Sequence, residues 1–437
     1  MYEPCDTFFV RSAAYLLDKI LIMTILLHKY FMKKFIRYAV AIAILLLLFS
    51  CKSGKNTTKV LERQDLFSLN YGNFEDELNL SKMDQGTYSV VNVCLNNGIF
   101  YISSASGQKV LKTSSYGDLL SLYYNPATNP RPSFYQKIQD GQNPETGENM
   151  PGTRTIIEYP FRNCTFLQVN EFENLYVVDT VPNDRIQFDS EENIALSNVI
   201  LQFDEKGKFV DYIGQEGLGG TPFPNIVSLS TNADNDIIAV CKTLMATKVF
   251  WFNREGLLLS RIDLNNSALP FPYEKDKNFF MNIDAVFPSY QEPALFLKID
   301  YYVEDFDDIT GASTGVNYDK SSIYKITLSE GAFEHVSDVA PFEDISDDET
   351  GSVKKVYMLM NVCRDDWAFL MSQTDTAYSI LLLNMKTGET KKFNLGLENM
   401  SLLYSTFSVT KDCMLAGLFA DEDKITISVW HIENFIN

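Results

Sequence analysis

An all-β fold, a six-bladed β-propeller, is what this sequence predicts. Three observations carry it: a recurring unit of four short strands, turns rich in Asn, Asp and Gly between them, and no convincing helical stripe after Cys51. Runs of β-branched and aromatic residues bounded by such turns read as strands. Self-similarity along a chain marks a repeat architecture.

The clearest unit runs from 164 to 214. It has a first strand at 164–169, the polar turn 170–174, a second strand at 175–179, a third at 199–203, the turn 204–208 and a fourth at 209–214. Equivalent runs recur at 99–102, 237–240 with 249–252, 295–299 with 323–326, 367–370 with 380–383, and 414–417 with 425–429. Six four-stranded units make a propeller, each sheet burying its faces against its neighbours. Too little chain follows Trp430 for the sixth unit to make its own fourth strand. Residues 66–72 resemble the strand at 209–214, so they are expected to complete the last blade and remove an open edge.

The N-terminal region reads as an address. Met32-Lys33-Lys34-Phe35-Ile36-Arg37 precedes the apolar run 38–49 and then Ser50-Cys51, the pattern of a secretory signal. The run is shorter than the roughly 20 residues a membrane span takes. Leu48-Phe49-Ser50-Cys51 resembles the lipobox of bacterial lipoproteins, which implies a signal peptide over 32–50, cleavage before Cys51 and lipid attachment to its thiol. Residues 1–31 fit no processed signal and read as an upstream extension, with Met32 the expected start. A helical hairpin of the apolar runs 20–27 and 38–49 is the alternative. Residues 51–65, mostly polar, read as a flexible tether, and 66–437 as the propeller.

Composition excludes several roles. With 37 basic and 57 acidic residues the net charge is −20. No cluster of Lys and Arg offers the phosphate contacts that nucleic acid needs, and an anionic lipid surface would repel this body. Besides Cys51, the processed chain holds Cys94, Cys164, Cys241, Cys363 and Cys413, with no CxxC pair. Neither a zinc site nor a disulfide framework is signalled. Buried free thiols are expected; Cys94 and Cys164, on equivalent strands of neighbouring repeats, are the one pair for which a bridge is conceivable. A monomer without a cofactor is expected.

Gly214-Gln215-Glu216-Gly217-Leu218-Gly219-Gly220-Thr221-Pro222-Phe223-Pro224-Asn225 resembles the Gly-rich link of the NHL family of propellers. The other repeats keep the strand spacing without the glycines. The whole processed chain, with Ser115-Tyr116-Gly117-Asp118-Leu119-Leu120, is similar to six-bladed propeller lipoproteins of Bacteroidetes-type bacteria. That resemblance implies a fold and an address and adds no activity.

Some NHL-type propellers carry His and a metal in the central channel. Here His335 and His431 are expected on outer strands, away from the axis. There is no G-x-S-x-G, no P-loop and no dinucleotide fingerprint. Asp305-Phe306-Asp307-Asp308 lacks calcium-loop spacing and reads as a solvated acidic loop.

Loop length points elsewhere. Strands alternate in direction, so links between blades and connections from second to third strands share one face. Every long segment falls on that face: 125–163, 214–225, 264–280 and 338–355 between blades, 181–198 and 303–321 within them. Binding residues tend to sit on loops carried by a rigid scaffold. The candidate rim is therefore Arg131, Phe134 and Tyr135, with Phe271 and Tyr273, and the acidic Asp305 and Asp307. The expected function is a lipid-anchored module of the cell envelope that binds a protein or ligand. The alternative is a hydrolase or lyase with carboxylate-bound calcium in the channel. Lys52 after the lipidated cysteine favours the outer membrane, with the body facing the periplasm or the surface.

Overall fold

The computed structural model describes residues 59–83, 86–135, 154–273, 278–307, 309–329, 331–344, 353–373, 377–397 and 401–436. The extension 1–31, the signal segment 32–50 and Cys51 lie outside the described residues.

The chain forms a six-bladed β-propeller. Blade one is Val91–Asn96, Ile99–Ser104, Lys109–Thr113 and Leu119–Tyr124, with Thr155–Glu158 added in parallel outside. Blade two is Leu167–Val169, Leu175–Thr180, Asn198–Phe203 and Phe209–Gly214. Blade three is Asn225–Thr231, Ile237–Lys242, Ala246–Phe252 and Leu258–Asn265. Blade four is Phe279–Pro288, Ala294–Phe306, Ser313–Thr327 and Phe333–Val339. Blade five is Met358–Cys363, Trp367–Gln373, Ala377–Asn384 and Thr390–Gly396. Blade six has Tyr404–Val409, Leu415–Ala420 and Ile425–Trp430. Gln64–Tyr71 pairs antiparallel with Ile425–Trp430 on its outer side, in the register Leu69↔Ile425.

Apolar residues at alternate strand positions face the neighbouring blade, and the core divides accordingly. Six clusters of buried side chains lie one between each pair of adjacent blades. Tyr101 and Val110 meet Leu175 and Phe203 between blades one and two, and Phe296 and Ile323 meet Leu359 and Leu370 between four and five. The cluster between blades six and one joins Leu69, Ile425 and Ile427 to Val91 and Phe100. Each large side chain so buried contributes about 1.5–3 kcal/mol. Trp251 and Trp430, each 1% exposed, are the largest.

The inner strands of blades three, four and five each carry a register shift, between Ile226 and Ser228, Ile283 and Ala285, and Leu359 and Asn361. The extra residues, Val227, Asp284 and Met360, all line the central channel. A bulge re-aims a side chain in this way.

Three features differ from the sequence expectation. Residues 59–65, assigned to the tether for their polarity, include Lys59–Leu61, which pairs in parallel with blade five, and the start of the blade-six strand at Gln64. An outer edge needs little apolar content, because its backbone supplies the pairing. Residues 303–321 are no loop: the second and third strands of blade four run on as one long hairpin to the pair Phe306↔Ser313. Its acidic, alternating pattern is that of a ribbon solvated on both faces. Finally, Cys363 and Cys413 form a disulfide with Cα atoms 5.6 Å apart, within the usual range. Cys363 ends the inner strand of blade five and Cys413 sits in the first turn of blade six, at φ 64°. The ring brings these neighbouring positions together. Cys94, Cys164 and Cys241 are buried free thiols.

Candidate functional site

The face that carries the inter-blade links is called here the link face, and the opposite one the turn face. The proposed rim residues fall into two groups on the link face. Arg131, Phe134 and Tyr135 lie beside blade one. The Arg131 guanidinium stacks 3.7 Å from the Tyr135 ring centroid, and Phe134 packs on the core between blades six and one. Ser133 there donates to Glu75, just beyond the outer strand of blade six.

Phe271 and Tyr273 belong to blade four. Phe271 stacks edge-on to Phe279 at 4.2 Å, and the Tyr273 hydroxyl donates to Asp319 on the long hairpin. Burial, reinforced by that carboxylate, pushes the Tyr273 phenol up. Asp305 accepts Asn317 Nδ2 at 2.6 Å across the same hairpin. Asp307 folds the hairpin tip, accepting the Ile309 and Thr310 amides at 3.0 and 2.7 Å. These bonds hold its carboxyl below the usual carboxylate range. Among the described residues no hydrogen bond, ion pair or ring contact joins the blade-one group to the blade-four group. Blades one and four stand on opposite sides of the ring.

A set of residues missed from the sequence lies on the same face. Phe188, 63% exposed, stands on the small hairpin Gln187–Asp189/Ile194–Leu196 in blade two. Leu244 and Met245, 92% and 70% exposed, form a turn in blade three. Ile309, 94% exposed, tips the blade-four hairpin beside exposed Phe306 and Val316. Phe271 and Phe280 are also exposed. Contacts tie these blades together: Lys248 of blade three pairs with Glu192 of the blade-two hairpin, and Lys242 Nζ donates to the Ile283 carbonyl of blade four at 3.0 Å. The sequence signal was short: an apolar pair within the turn 243–246, and a lone Phe in an acidic stretch.

The central channel, about 850 Å³, is lined by the inner strands of all six blades. Its turn-face mouth is bridged. Glu171 of blade two pairs with Lys411 of blade six, and Arg364 of blade five reaches Glu171 at 3.5 Å and Asp412 at 2.9 Å. Blades two and five are opposite members of a ring of six, so these contacts cross the axis. Tyr290, in the first turn of blade four, lines the same channel, and burial pushes its phenol up.

Higher in the channel, the Asp284 carboxylate is fixed through Oδ2, which accepts Lys298 Nζ at 3.1 Å and the Leu359 amide of blade five at 2.7 Å. Lys298 is fully buried and also pairs with Asp300, whose carboxyl is raised by burial despite that cation. No group of three or more His, Cys, Asp or Glu is placed to hold a metal among the described residues. His335 lies exposed on the outer strand of blade four. His431 follows the third strand of blade six rather than lying on an outer strand.

A family model described as DUF5128, 6-bladed beta-propeller, matches residues 170–338. No curated protein matches the chain. Among solved structures it is similar to the Dos1 propeller, at 12% identity over 80% of this chain and 81% of that one, with a TM-score of 0.35. It is also similar to a PL25 ulvan lyase, a polysaccharide lyase, at 9% identity over 84% and 83%, TM-score 0.39. A third is a 6-phosphogluconolactonase candidate from Bacteroides uniformis, at 12% identity over 60% and 81%, TM-score 0.32.

Proposed function

We propose that this protein is a lipid-anchored binding module of the bacterial cell envelope that meets a protein partner through its link face. The observation that carries the reading is the collection of exposed apolar side chains on blades two to four: Phe188, Leu244, Met245, Phe271, Ile309 and Val316. Large exposed apolar patches on a folded protein mark interaction sites. Aromatic and Arg side chains, which anchor interfaces, recur on the same face at Arg131, Phe134, Tyr135 and Tyr273.

The address rests on the signal at 32–50 and on Cys51, the proposed lipid site. The Cys363–Cys413 bridge supports it, since disulfides persist in oxidising compartments and are rare in the cytosol. The outer membrane is the proposed location, on the strength of Lys52. The link at 214–225 supports an NHL-like repeat: a side chain at Gly214 would meet the Gly220 backbone at 2.4 Å, and Phe223 is fully buried between blades two and three. In this reading Gln64–Tyr71 closes the ring, covering the edge that Ile425–Trp430 would otherwise expose.

The test is capture of envelope proteins by the lipidated protein and by a variant with Phe188, Leu244 and Met245 changed to Asp. The variant is expected to lose capture at an unchanged melting temperature. Equal capture by both would overturn the assignment of this face.

A further inference from the structure

The geometry points to a second binding site, independent of the docking face: we infer that the central channel takes a neutral, polyhydroxylated ligand of the oligosaccharide class. Its volume of about 850 Å³ falls within the roughly 300–1,000 Å³ of small-molecule sites. The Glu171, Lys411 and Arg364 bridge spans the turn-face mouth; among the described residues no ion pair crosses the link-face mouth, and entry is from that side.

The chemistry of the wall selects the ligand. Four half-buried side chains on the inner strands present polar atoms to the channel with no hydrogen-bond partner among the described residues. They are Asn92 Nδ2, whose Oδ1 accepts the Val93 amide at 2.8 Å, and the hydroxyls of Ser228, Thr406 and Ser408. Asp284 adds a fifth atom. Its Oδ2 is engaged by Lys298 and Leu359, while Oδ1 has no such partner among the described residues. These atoms come from blades one, three, four and six, so they converge on one space from several sides.

An apolar ligand would strip water from these groups and leave them unpaired, which is costly. An anion finds no unengaged cation among the described residues of the lining: Lys242 is bonded to Asn282 and the Ile283 carbonyl, and Lys411 to Glu171. It would also face the Asp284 carboxylate. A cation would pair with Asp284 Oδ1 but leave the Asn92 Nδ2 donor unmet; a ligand whose groups both donate and accept, as hydroxyls do, engages all five atoms, with Asp284 Oδ1 receiving one of them. Phe287 and Tyr290, both partly buried, line the same channel and add aromatic surface for the C–H side of a sugar.

The experiment is calorimetric titration of the full-length protein with short uncharged oligosaccharides of gluco, manno and galacto configuration. Uronate-containing oligosaccharides and spermidine serve as charged probes. Asn92→Leu and Ser408→Ala are titrated beside the parent, with melting curves to show that each folds. At least one uncharged oligosaccharide is expected to bind better than either charged probe, and each substitution to weaken it about tenfold. Preference for a charged probe, binding indifferent to both substitutions, or no binding of any uncharged oligosaccharide would overturn the inference. Capture of the envelope partner by the same variants is expected to be unchanged, so failure of the channel site and failure of the docking face are read separately.

Discussion

Glu171, in the first turn of blade two, is ion-paired with Lys411, in the first turn of blade six, across the mouth of the channel. The hydrogen bond from Lys411 holds the Glu171 carboxyl below its ordinary range, with Arg364 adding to the effect. A carboxyl lowered in the folded state contributes stability above its unfolded value, about 4.3, and loses it as pH falls through the lower folded value. Glu171→Gln is therefore expected to narrow the acid-limb loss of melting temperature relative to the parent. Near neutral pH the change should be small, because partly exposed ion pairs contribute about 0–1 kcal/mol. Melting curves from pH 3 to 7 check both.

Cys363 and Cys413 are expected to behave as a bridge and Cys94, Cys164 and Cys241 as thiols. Peptides from denatured, unreduced protein should carry alkylation at those three and acquire it at Cys363 and Cys413 only after reduction. Cys363→Ser with Cys413→Ser should lower unfolding free energy by about 2–4 kcal/mol, read from denaturant midpoints. Burial pushes the Cys94 thiol up to about 12, so it should resist alkylation in the native protein.

Deleting 66–72 is expected to lower the melting temperature of the whole ring. It removes the partner of Ile425–Trp430 and takes Leu69 from the core between blades six and one. The milder Leu69→Ala should cost about 2–5 kcal/mol. Calorimetry checks both, and an unchanged transition in the deletion would show that the ring does not depend on this strand.

Lys109, 1% exposed, donates from Nζ to the Phe74 carbonyl at 2.7 Å, tying the segment after Tyr71 to blade one. Burial pushes its pKa down to about 8, against the opposing pull of Glu77, Asp76 and Glu75. The unfolded value is about 10.4, so the unfolded chain binds more protons between the two and stability rises with pH across that window. The unfolding free energy of the parent minus that of Lys109→Met should therefore rise from pH 8 to 10. Paired urea titrations measure it.

The architecture was legible because every blade repeats the same apolar alternation, and each predicted second and third strand overlaps an observed one, the run 414–417 starting one residue before Leu415–Ala420. The disulfide was not, since Cys363 and Cys413 are brought together only by the ring, and no local spacing announces that. The segment 303–321 reads as a loop in the sequence because residues 303–307 are mostly acidic without a buried face; backbone pairing, with the Asp305–Asn317 bond across it, extends the hairpin. The link face was visible in segment lengths, whereas the channel groups were not. Asn92, Ser228 and Ser408 are ordinary strand residues until six inner strands are set around one axis. Asp284 becomes a channel residue only through the bulge between Ile283 and Ala285.

The link face is proposed to meet a protein partner. The most direct measurement is photo-cross-linking in living cells, with a photoreactive residue placed singly at Phe188, Leu244 or Ile309 on that face, and at Phe172 or Leu257 on the turn face. All five positions are exposed. A discrete cross-linked species is expected from the three link-face positions and none from the two turn-face positions. Cross-links from Phe172 and Leu257 alone would contradict it.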